Sequence, residues 1–180
     1  MFEIIVVLSL IAILMAGVAY WWSVSSRKTD VEKTAVQIVE MASIIQEAWG
    51  PAGNYTGLSE AALVGSSLLP IPMVSGSRIN LALFDDPSDN VGLFPETVSG
   101  VGCNGRVDCN NAFAIRITGL DAYQCQELSR RDYGPNYYNL VLGRVGGPHT
   151  YHVAPTDTAE INNVCGQGTN YTYRIYLFFM

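Results

Sequence analysis

MFEIIVVLSLIAILMAGVAYWW, residues 1–22, decides how everything after it is read. From Ile4 to Trp22 the only polar member is Ser9, and at the helical rise this run spans roughly 28 Å, about one bilayer core. Glu3 stands at its head, with no basic residue before the run. Three readings compete. A secretory signal peptide would open on basic residues, carry a shorter apolar core and end at a small-residue cleavage site, and none of these is present. A single-pass anchor fits the length, but Arg27 and Lys28 follow the run, which taken alone would place the C-terminal side in the cytoplasm. The third reading is a helix that starts in a membrane and ends buried among copies of itself. Glu3 then needs a cation, because an unpaired carboxylate in apolar surroundings costs several kcal/mol. The free N-terminal amine of a neighbouring subunit would serve.

The helix continues past the apolar run. Between Val24 and Trp49 there is no Gly or Pro, and Val31, Ala35, Ile38, Ala42, Ile45 and Trp49 recur at steps of three and four, an apolar stripe. Lys28 with Glu32, and Asp30 with Lys33, are spaced to pair on the solvated face. Gly50-Pro51 ends the helix. Its expected length is about 48 residues, roughly 70 Å, apolar all round in the first half and amphipathic in the second.

An acidic residue at the head of an apolar helix, Gly17 late in it, an amphipathic continuation and a cysteine-containing remainder resemble a type IV pilin. AGVAYWWSVSS (16–26), NYTGLSEAALVGSSLLP (54–70) and the late cysteines in AYQCQELS (122–129) and EINNVCGQG (160–168) resemble its type IVb subclass. In mature pilins of that family the glutamate is the fifth residue, whereas here it is the third. Either two residues precede Met1 or the head is shorter, and which amine carries the family's methyl group follows from that choice.

The resemblance implies an α+β pilin fold: a long N-terminal helix over 1–49, with a membrane or filament-core part (1–23) and an amphipathic part (24–49), packed on an antiparallel sheet in a globular domain over 50–180. It implies a structural subunit, a major pilin, that polymerises with identical copies into an extracellular pilus serving adhesion, aggregation, motility or conjugative cell contact. Before assembly the subunit would wait in the inner membrane with its globular part in the periplasm, served by a prepilin peptidase and the pilus assembly machinery. Glu3 would set the register of the filament. Gly17, in a helix where glycine costs about 1 kcal/mol relative to Ala, marks either a place where the helix loosens or a close contact with a neighbour. The alternatives are a membrane-anchored monomeric binding or sensor domain outside the cytoplasm, and a minor pilin of the same fold.

Composition fits a small exported domain behind the helix. Residues 50–180 are enough for one hydrophobic core. The net charge of −6 argues against nucleic-acid binding, and 17 Gly and 10 Tyr suggest neutral contacts, either subunit interfaces or a Tyr-rich core. The 4 cysteines allow three complete pairings. Cys103 with Cys109 would close the short CNGRVDC turn, worth roughly 2 kcal/mol, and Cys125 with Cys165 a loop worth roughly 4 kcal/mol; these two pairs are favoured over free thiols in an exported chain. Neither CxxC nor a His at ligand spacing supports zinc.

Between helix and cysteines, Ser59 is placed to cap a short helix through Leu68, with Leu58 and Leu63 packing at its entry. RINLALF (78–84) alternates as a strand, and Asp85, Asp86, Asp89 and Asn90 offer oxygens without the spacing of a calcium loop. Phe113, Ile115 and Ile117 alternate, TGLD opens a helix through Arg131, and Tyr138, Leu140 and Leu142, then Tyr151 and Val153, give further period-two sets. YTYRIYLFF (171–179) is apolar on both faces, which expects a strand buried on both faces inside the sheet. In the resembled family the segment between the late cysteines is variable and exposed.

No catalytic pattern emerges. His149 and His152 sit three apart in an expected strand, so their side chains would point to opposite faces. GRVGGP (143–148) reads as a turn, and no GxSxG, HExxH, Walker or dinucleotide motif occurs. No enzyme activity, cofactor or metal is expected.

Overall fold

Helix α1 runs unbroken from Phe2 to Trp49, 48 residues, in a computed structural model that describes residues 2–85, 90–96, 110–147, 149–153, 158–166 and 172–180. It stops where Pro51 enters a single 3-10 turn, Gly50–Ala52, and Gly53 takes a left-handed φ of 60° while its N–H returns to the Gly50 carbonyl. The second half buries Val31, Ala35, Ile38, Met41, Ala42 and Ile45, each large side chain contributing about 1.5–3 kcal/mol. Trp49, expected on the same stripe, is only half-buried at its margin.

A short helix, α2 (Glu60–Gly65), follows. The Ser59 hydroxyl accepts from Ala62 N at 3.2 Å, and Leu58 and Leu63 are buried on either side of that cap. The helix ends three residues before Leu68, where Ser67 turns left-handed at φ 56°. Strands β1 (Val74–Ser75) and β2 (Arg78–Ile79) make a two-residue hairpin over Gly76, and Glu60 Oε1 accepts from Ile79 N at 2.8 Å. The strand expected over 78–84 therefore ends at Ile79. Beyond it the amides of Ala82 and Leu83 donate to Gln37 Oε1 and Thr34 Oγ1 of α1, at 2.8 and 3.1 Å. Helix side chains take the place of a sheet partner.

The main sheet has β3 (Val91–Glu96), β4 (Ala112–Leu120), β5 (Tyr137–Arg144), β6 (His149–Val153) and β7 (Tyr173–Phe179). Its order is β3-β4-β7-β5-β6 with every pairing antiparallel. Strand β7 is central, but it is not buried on both faces. Tyr173, Ile175, Leu177 and Phe179 are buried, while Arg174, Tyr176 and Phe178 are half-buried. The inner row, continued by Phe113, Ile115 and Ile117 and by Leu140 and Leu142, forms one core with α1. An aromatic line, Tyr55 to Phe113 to Phe179, crosses it at centroid distances of 4.9 and 5.3 Å.

Two further helices complete the domain. Helix α3 (Ala122–Ser129) has a capping box: Asp121 Oδ1 accepts from Gln124 N while Gln124 Oε1 accepts from Asp121 N. It stops at Ser129 rather than Arg131. Helix α4 (Thr158–Cys165), which the strand-dominated reading of the second half did not foresee, buries Ile161 and Cys165 into the same core. Long helix plus antiparallel sheet is the α+β architecture expected from the sequence.

Candidate assembly surface

Among the described residues, the first half of α1 is exposed along its length. Its most apolar window has a mean hydropathy of 2.5 and is 0% buried, with Ile4, Leu14 and Trp22 at 65, 67 and 71% exposure. Bare apolar surface on this scale needs lipid or other protein to cover it. Glu3 lies in the first turn of this helix, and its side chain is outside the described residues. Gly17 sits in an uninterrupted helical stretch, and a Cβ there would meet nothing within 4 Å. Packing inside the subunit gives no reason for glycine at that place.

Further along α1, Val36 and Val39 form an exposed ridge at 67 and 42%. It stands between two open grooves. One, of about 770 Å³, lies against Pro72, Leu81 and Phe84; the other, of about 480 Å³, lies against Arg131 and Tyr133. The sequence reading missed this ridge because both valines fall off the buried stripe, and their β-branched bulk at solvent positions was the available signal. Both grooves are lined by a mixture of apolar and charged side chains. The expected Lys28–Glu32 pairing gives way to another: Glu32 reaches Arg131 at 3.7 Å, tying α1 to the turn after α3.

Cys125 and Cys165 are joined and fully buried, with a Cα–Cα distance of 5.8 Å. The bond fixes α3 to α4, and Arg130 Nη2 donates to Asn162 Oδ1 at 2.6 Å beside it. Cys103 and Cys109 lie outside the described residues, as do Asp86 and Asp89 of the oxygen-rich segment. Among the described residues no group of three His, Cys, Asp or Glu side chains is placed to hold a metal. His149 and His152 fall on β6 opposite Gly143 and Leu140, three positions apart. The glycines Gly146 and Gly147 form the turn after β5.

The titratable groups with displaced ionisation are structural. Burial pushes the Tyr133 and Tyr137 phenols far above their ordinary range. Burial, helped by nearby Glu96, pushes Tyr138 up to about 12, and burial also raises the Glu96 carboxyl. On the outer sheet face Arg116 stacks on the Phe94 ring, 4.9 Å from its centroid.

A disulfide-locked α+β domain carried on a long helix whose first half is bare among the described residues is the architecture of a pilin-type subunit. Residues 23–175 match the family model for bundlin, and the chain belongs to this type IV pilin family. Among solved structures, TcpA, a type IV pilin from Vibrio cholerae El Tor biotype, matches with a TM-score of 0.54 at 15% identity, over 84% of this chain and 99% of that one. No curated protein matches in sequence.

Proposed function

We propose that the chain is the repeating, major subunit of a type IVb pilus. The observation that carries this reading is the bare apolar half of α1 in a chain of this family. Residues 1–23 would form the filament core, 24–49 the amphipathic link and 50–180 the outer domain. The subunit waits in the inner membrane with its domain in the periplasm, where an oxidising environment suits the Cys125–Cys165 bond. A prepilin peptidase processes and methylates the N-terminus, and the assembly machinery extracts the helix. Identical copies then bundle their helices, and helix packing offsets the loss of lipid contact. The finished filament serves adhesion, aggregation, motility or conjugative contact.

Shearing cells that produce the chain and imaging the released material by electron microscopy tests the proposal. Smooth filaments that label along their whole length with antibody to this chain are expected. Label confined to tips would mark a minor pilin, and recovery of the chain only as membrane-held monomer would mark an anchored binding domain.

A further inference from the structure

We infer that Tyr20, Trp21 and Trp22, with Arg27, Lys28 and Lys33, form a docking collar for the headgroups of anionic glycerophospholipids, which fixes the depth of the waiting subunit. The inference rests on the membrane-resident state proposed above. The three aromatic side chains are 75, 67 and 71% exposed and occupy consecutive positions of an unbroken helix. Consecutive residues are about 100° apart and 1.5 Å along the axis. The three rings therefore wrap most of the circumference within about 3 Å of depth, which makes a belt rather than a face. Aromatic rings of this amphipathic kind settle at the boundary between acyl chains and headgroups. The apolar residues from Ile4 to Ala19 occupy about 24 Å below the belt, close to the hydrocarbon thickness.

The cations stand where phosphates would be. Arg27 is seven residues beyond Tyr20 and Lys28 seven beyond Trp21, two helical turns on the same faces. Both are exposed, and among the described residues neither has an ion-pair partner. A shallow hollow of about 260 Å³ lies along the same stretch of α1, lined by Trp21, Trp22, Ser25, Ser26, Asp30 and Lys33. Hydroxyls and an ammonium over an aromatic floor suit a phosphodiester. Of the acids on this stretch, Glu32 is drawn away to Arg131, leaving Asp30 against three cations. Charge on this side of the helix also opposes the usual cytoplasmic bias of Lys and Arg. Headgroup binding gives those cations a role outside the cytoplasm.

The test uses the full chain carrying Trp49→Phe, reconstituted in vesicles, so that Trp21 and Trp22 alone report. Lipids brominated near the headgroup end of the acyl chain should quench their fluorescence more strongly than lipids brominated at mid-chain. Brominated phosphatidylglycerol, as a minor component in phosphatidylcholine, should out-quench brominated phosphatidylcholine at equal content, with a preference of up to about fivefold for each cation in the headgroup layer. Arg27→Gln with Lys28→Gln should remove most of that preference and leave the depth unchanged. Stronger quenching from mid-chain, or equal quenching by the two headgroups, in a chain that does float with vesicles would overturn the collar and leave the membrane-resident state standing. A chain that fails to float with vesicles would overturn both.

Discussion

Tyr133 and Tyr137 meet edge to face with their centroids 5.3 Å apart, and their hydroxyls have opposite fates. Tyr133 Oη donates to the Leu128 carbonyl at 2.8 Å, whereas Tyr137 Oη is buried without a hydrogen-bond partner among the described residues. Losing a made bond costs about 1 kcal/mol and strands the carbonyl, while removing an unsatisfied hydroxyl relieves a desolvation penalty. Tyr133→Phe should therefore lower the urea midpoint of the detergent-held chain, and Tyr137→Phe should leave it unchanged or raise it. Both phenols ionise far above the ordinary tyrosine value of 10.0, because burial disfavours the anion. The folded state thus holds these protons more tightly than the unfolded state. That contribution is complete below the unfolded value of 10.0 and drains away as pH rises beyond it, toward the raised folded values. Unfolding followed against pH should show stability falling above about 10, with a shallower fall in Tyr137→Phe.

Between α3 and α4 the Cys125–Cys165 bond closes a separation of 40 residues. Cys125→Ser should cost about 4 kcal/mol, seen as a lower unfolding temperature and a lower steady-state amount of subunit than in Cys103→Ser. A smaller clamp joins α1 to the far end of the sheet. Gln46 Nε2 donates to the Met180 carbonyl while its Oε1 accepts from Asn136, each at 3.0 Å. Gln46→Ala should cost about 1 kcal/mol and speed amide exchange at the end of β7. Elements of this kind divide the chain into what sequence discloses and what it hides. The extent of α1 was legible because hydrophobic period and the Gly50-Pro51 stop act within a few residues. The central place of β7 was legible from Tyr176 and Phe178 on its outward row, although that row, which includes Arg174, is half-buried rather than buried. The segment after Ile79 was misread because Thr34 and Gln37, more than forty residues earlier, capture its amides. Glu32 was misassigned for the same reason: a nearest-neighbour rule along one helix cannot see Arg131. Of the assembly surface, the apolar half was visible and the ridge at Val36 and Val39 was not, since grooves exist only once distant loops are folded beside them.

For the whole molecule, the decisive variant is Glu3→Ala. In a solitary anchor a carboxylate at the helix start can stay among headgroups, and its loss changes little. In a filament with an apolar centre it must be neutralised by a neighbour's amine, which also fixes the axial register. We expect Glu3→Ala, made in the complete precursor, to leave the subunit membrane-inserted while the ratio of sheared filament to membrane-held subunit drops about tenfold, the loss expected from about 1.4 kcal/mol. An unchanged ratio would reject the register role. Glu127→Ala is the matched control, because among the described residues Glu127 makes only a half-exposed contact with Arg130; Glu60 is unsuitable, since it holds the β2 amide of Ile79. The sheet order also bears on how the domain is made. The strand at its centre follows all the others along the chain. Until Tyr173–Phe179 is in place, β3-β4 and β5-β6 can pair only as separate units, each with an open edge. Closure then requires pairings between distant parts of the chain, which makes it late and slow. A chain interrupted before Tyr173 is left as two sticky halves, exposed to proteases and to aggregation. On the export route proposed above, completion of translocation would then be the folding signal, and a truncated chain would lack the strand that joins its two hairpins into one sheet.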